Sequence, residues 1–82
     1  MEEQVVGKVT HFFGKASVAA IGLTAPLSVG DTILIRGATT EFEQVINSMQ
    51  IEKQDIEKAE AGQEIGVKVM DKARVGDLVY KK

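Results

Sequence analysis

The side chains in this sequence that could do chemistry are few, and their spacing does not serve it. One histidine, His11, stands beside three serines, Ser17, Ser28 and Ser48, and there is no cysteine. A lone histidine rules out a multi-imidazole metal site and leaves a single general base as the only catalytic option. None of the serines sits in the G-x-S-x-G elbow that would present it as a nucleophile. Flanked by Phe12 and Phe13, His11 is expected to be a partly covered structural residue. The acids Glu52, Asp55, Glu57, Glu60 and Glu64 lack the spacing of a calcium loop and read as solvated loop charge. The eight glycines never cluster as a phosphate cradle, and no G-x-x-x-x-G-K-[ST] run occurs, so GTP binding by this chain is not expected. The expectation is a chain with no catalytic residue, no cofactor and no metal.

With 82 residues the chain is long enough for one core and too short for two, so residues 1–82 are expected to be a single domain. Without cysteines its stability must come from packing, and the same absence fits a reducing cytoplasm. Residues 5–13 are rich in β-branched and aromatic side chains at period two, which places Val5, Val9 and Phe13 on one face. Residues 17–23 continue the pattern with small side chains, Ala and Gly22, where another backbone could approach closely. Further strands are read at 32–36, 40–51, 64–70, with Ile65, Val67 and Val69 inward and a bulge at Gly66, and 77–81. Residues 55–58 fit either a turn of helix or an edge strand, and the strand is favoured. No amphipathic helix is convincing. The pattern points to an all-β fold, a small closed antiparallel β-barrel of six to seven strands, because closure removes edges that so small a sheet would leave open to aggregation. A filled barrel of this size leaves little room for a substrate cleft.

The formal charge of −2 conceals an asymmetry. Residues 41–66 carry seven acids against two bases, and residues 67–82 five bases against two acids. Lys68, Lys72, Arg74, Lys81 and Lys82 could form a local positive patch if they share a face. Among the aromatic residues, Tyr80 alone has a basic neighbourhood. Lys68, Lys72, Arg74 and Tyr80 are therefore the candidate binding surface, with a solvated face on a terminal strand as the plain alternative. The acidic start, Met1-Glu2-Glu3-Gln4, is unlike a secretory signal, and the expected setting is cytoplasmic, without a membrane.

A turn repeats: Val29-Gly30-Asp31 precedes Thr32-Ile33-Leu34-Ile35, and Val75-Gly76-Asp77 precedes Leu78-Val79-Tyr80. Glycine supplies the left-handed turn position, and aspartate can accept a nearby backbone N–H to fix the strand's entry. Read in order, Val6-Gly7-Lys8-Val9-Thr10, then the stretch from Leu27 to Ile33, then Val45 to Gln50, then the run from Lys58 to Val67, the chain resembles the second domain of elongation factor Tu and related translational GTPases. The closing Val75 to Tyr80 is also similar to the appended C-terminal barrel of U32-family peptidases. The first resemblance implies a translation-factor-like barrel contacting RNA or ribonucleoprotein, here as a stand-alone module. The second implies an accessory module for a separately encoded enzyme. No residue-level tRNA-contact motif transfers. Self-association remains open, since an exposed strand can pair with its own copy. A non-catalytic binding module is the common expectation.

Overall fold

The computed structural model describes residues 4–82. Ten strands follow one another among the described residues: β1 (Gln4–Phe13), β2 (Val18–Leu23), β3 (Leu27–Ser28), β4 (Thr32–Arg36), β5 (Glu41–Val45), β6 (Met49–Ile51), β7 (Gln54–Ile56), β8 (Lys58–Ala59), β9 (Glu64–Lys68) and β10 (Leu78–Lys81). They contain no helix, hence none long and apolar enough to cross a membrane. The all-β reading holds, and over residues 55–58 Asp55 and Ile56 lie in β7 and Lys58 in β8, with a bend at Glu57 and no helix.

Eight strands pair in the order β5-β4-β10-β1-β2-β9-β6-β7, and β3 pairs with β8 in a separate ribbon. One cluster of buried side chains draws on β1, β2, β4, β6, β9 and β10, so the long sheet wraps around a single core. Ile33 and Ile35 of β4, Ile65 and Val67 of β9 and Val79 of β10 all face inward and are completely or almost completely buried. Each such side chain contributes roughly 1.5–3 kcal/mol by leaving water, which is how a chain without cross-links reaches stability.

Several expectations need correction. In β1, Val6 and Val9 are buried while Val5 is 41% exposed and Phe13 51% exposed. Two register shifts, between Val5 and Gly7 and between Val9 and His11, break strict alternation and turn the ends of the strand outward. The strand expected over 40–51 is two strands, because the backbone of Ile46 leaves the ladder: its N–H donates to the Asp31 carbonyl and its carbonyl accepts from the Gly30 N–H. Gly66 is not at a bulge; its pairing with Ala20 lies in regular register. The sheet is also not closed by a backbone ladder, since its order has two ends, β5 and β7. The free edge of β5 is instead bridged by a side chain. Gln44, only 6% exposed, donates through Nε2 to the Lys68 carbonyl at 2.9 Å and accepts the Met70 N–H through Oε1 at 2.8 Å. A primary amide presents an N–H donor and a carbonyl acceptor side by side, as a strand's backbone does, so it satisfies buried edge groups that a strand would otherwise have to meet.

The two Val-Gly-Asp turns have the same construction. Asp31 N–H donates to Ser28 O at 3.1 Å and Asp77 N–H to Arg74 O at 3.0 Å, with Gly30 and Gly76 at φ 97° and 98°. Each carboxylate then accepts the N–H of the turn's first residue, Ser28 or Arg74, at 2.8 Å. The docking partners match as well: Gly76 N–H donates to Val9 O and Val9 N–H to Asp77 O, as happens at Ile46 in the first turn. The strands that leave the turns, β4 and β10, pair antiparallel with Leu34 opposite Tyr80. The repeat visible in the sequence is thus a local twofold in the structure. Its two halves differ at the carboxylates. Asp77 is 5% exposed and lies against Gly37, where a Cβ would come 1.8 Å from its Oδ1, whereas Asp31 is partly exposed and pairs with Lys81 at 3.5 Å.

Candidate functional site

Across four adjacent strands, β1, β2, β9 and β6, the register aligns His11, Ala20, Gly66 and Gln50 in one outward row. The two middle positions have almost no side chain. With neighbouring strands about 4.8 Å apart, His11 and Gln50 stand roughly 14 Å from each other over a floor two strands wide. The result is an open slot of about 550 Å³ lined by Thr10, His11, Phe13, Ala20, Gln50, Glu52, Lys53, Glu64, Ile65 and Gly66.

Its walls differ in chemistry. On one side the rings of His11 and Phe13 lie with centroids 4.7 Å apart and planes tilted by 41°, an arrangement that leaves an aromatic edge available to a third ring. At the end of the slot the Thr10 hydroxyl donates to a Glu64 carboxylate oxygen at 2.6 Å and holds it in place. Facing these, the β6–β7 hairpin turns through Glu52 and Lys53, both left-handed, with φ 51° and 67°. Two-residue hairpins want Asn-Gly there, and L side chains in this region are strained.

No catalytic constellation assembles around His11. Among the described residues no hydrogen bond joins it to a serine, a threonine or a carboxylate, and the Thr10 hydroxyl is committed to Glu64 and to the Ala20 carbonyl. His11 is exposed rather than partly covered. No three His, Cys, Asp or Glu side chains among the described residues group as a metal ion would require.

The residues singled out from the sequence are spread over the surface. Lys72 and Arg74 come together on a polar depression with Thr39, Thr40 and Phe42, but Glu41 and Asp71 line it too. Tyr80 is half-buried on the outward face of β10, where the Arg36 guanidinium lies over its ring at 5.4 Å from the centroid. Lys68 is three strands away in the sheet order, and its row meets β1 at Phe13 where the Tyr80 row meets it at Val5. Eight residues of strand correspond to roughly 26 Å. Lys81 and Lys82 pair with Asp31 and Glu43. The four residues therefore do not share one face. In the sequence the slot leaves only the thinning of side chains at Ala20 and Gly66 as a trace.

No family model matches the chain. An uncharacterized protease of Methanocaldococcus jannaschii is 49% identical over 76 residues, which are 92% of this chain and 19% of the relative. A collagenase of Porphyromonas gingivalis is 34% identical over 82 residues, covering 98% of this chain and 23% of the relative. Among solved structures, the C-terminal domain of a Geobacillus thermoleovorans U32 peptidase superposes with a TM-score of 0.90 over 96% of this chain and 92% of that one, at 20% identity. The chain is similar to the C-terminal domain of U32 peptidases. It spans about a fifth of the length of the curated relatives it matches, and the structural likeness at this identity concerns the fold. The elongation-factor resemblance gains no support from these relatives.

Proposed function

We propose that this chain is a non-catalytic binding module of the kind appended to U32-type peptidases, working as an accessory part that engages a peptidase-type protein. The observation that carries this reading is coverage: nearly the whole chain matches a piece amounting to about a fifth of proteins named as proteases or collagenases. The rest of such a protein is where a catalytic centre has room to be.

Lys68, Lys72, Arg74 and Tyr80 are contact residues in this reading, touched at separate points by a folded partner. Their separation, and the acids beside Lys72 and Arg74, favour a protein surface over a phosphate backbone, which rewards cations in a continuous track. Two measurements on the purified chain test the proposal. Incubated alone with fluorescent gelatin and casein it should give no hydrolysis above buffer; turnover that disappears in His11→Ala overturns the non-catalytic part. Mixed with a U32-type protein it should co-elute after nuclease treatment and in high salt. Binding confined to RNA, falling with salt at a log–log slope near −0.7 for each neutralised phosphate, overturns the choice of partner.

A further inference from the structure

We infer that the slot between His11 and Gln50 is a peptide-recognition site, taking an aromatic side chain presented by an extended segment with a lysine or arginine next to it. This stands on the slot's own geometry and does not require the partner to be a peptidase. The floor comes first. Ala20 and Gly66 face each other in register on β2 and β9, flanked by the larger His11 and Gln50, and only the smallest side chains at these two positions leave the backbone of two strands uncovered. A flat ring can rest on the Ala20 methyl and the Gly66 backbone, with the Val18 Cγ1 closing the Gly66 end, 3.3 Å from where a Cβ on Gly66 would stand. The wall supplies the second argument. Phe13 is half exposed, with His11 tilted against it, so a ring entering the slot has an aromatic wall to pack against.

Charge decides what accompanies the ring. Glu52 and Glu64 line the slot without a cation partner among the described residues, against one lysine, Lys53. Glu64 is held by Thr10 and so presents its carboxylate in a fixed place, ready for a basic side chain next to the ring. The same carboxylates repel a phosphate backbone, which sets the site apart from a nucleobase-stacking platform. The hairpin adds an independent indication. Glu52 and Lys53 occupy positions that favour asparagine and glycine, and both overhang the slot. Side chains kept in left-handed backbone at the rim of a cleft are where strain accompanies function.

The test is an amide chemical-shift titration of the labelled chain with an acetylated, amidated pentapeptide carrying tryptophan between two lysines and glycine at each end. Shifts should concentrate at Thr10, His11, Ala20, Glu64 and Gly66. Replacing the tryptophan by alanine, or filling the slot with Ala20→Leu, should weaken binding about tenfold or more, and Phe13→Ala roughly fivefold. A peptide with glutamates in place of the lysines should bind several-fold more weakly. Thermal unfolding of both variants confirms that they fold, so that loss of binding reports the site. The inference is overturned by the absence of shifts at millimolar peptide, by shifts centred elsewhere, by equal binding of the alanine peptide or of Ala20→Leu, or by hexauridine RNA occupying the same residues more tightly than the peptide.

Discussion

The same sheet presents two outward faces that are finished in different ways. Over β5, β4, β10 and β1 the outward row Glu43, Leu34, Tyr80 and Val5 has a side chain at every position, and Leu34 is closed off from solvent although it points away from the core. Arg36 reaches both Tyr80 and Glu41, and Lys82 reaches Glu43, so side chains tie neighbouring strands together. Over β1, β2, β9 and β6 the corresponding row shrinks to alanine and glycine in the middle, the hairpin beside it is strained, and among the described residues two carboxylates have no cation partner. One face has its space filled and the other has space left open. The difference teaches where packing is the organising demand and where something else is, because surface devoted to stability has no reason to keep a left-handed Glu-Lys turn over an unfilled slot.

Substitutions can break or sharpen that contrast. The largest effect is expected at the packed half: Gly37→Ala drives a methyl into the Asp77 carboxylate, and urea unfolding should show a loss of about 3 kcal/mol. If it is neutral, the close packing of the second turn is not what holds the strands. Removing the carboxylates should separate the two turns, with Asp77→Ala losing about 2 kcal/mol because the acceptor of the Arg74 N–H is itself buried, and Asp31→Ala about 1 kcal/mol, since water can replace a partly exposed group. Equal losses would say that the local twofold is energetically symmetric. At the open face the sign reverses: replacing Glu52 and Lys53 together by Asn and Gly should raise the unfolding midpoint, by roughly 1 kcal/mol in stability, through relief of the left-handed strain. The smallest change belongs to Ala20→Leu, within about 0.5 kcal/mol by the same measurement, as expected for an outward position whose larger side chain enters the slot rather than the core.

Much of this architecture was legible from residue types. Inward Ile33, Ile35, Ile65 and Val67 alternate as strands must, and the repeated Val-Gly-Asp gave both turns, their glycine geometry and the aspartate acceptor. What escaped was non-local. The outward swing of Val5 and Phe13 depends on two bulges in β1, which no period-two reading contains. The break after Val45 exists because Ile46 bonds to Asp31 and Gly30 of the first turn, far upstream, and the edge of β5 is served by a glutamine that looks like any surface polar residue in sequence. The candidate surface suffered for the same reason. Lys68, Lys72, Arg74 and Tyr80 are near one another along the chain, but strand order sends Lys68 and Tyr80 to distant rows. The slot was hidden because it is made by register: Ala20 and Gly66 are unremarkable until β2 and β9 place them side by side.

Hydrogen–deuterium exchange of the chain with and without a U32-type protein tests most directly whether the open face is the working face. Slowed exchange on complex formation is expected most strongly across residues 49–54 and 63–66, with a smaller slowing at the separate contact points around Lys72 and Arg74. Protection gained only at 71–76, around Lys72 and Arg74, with the slot exchanging as it does in the free chain, would contradict it.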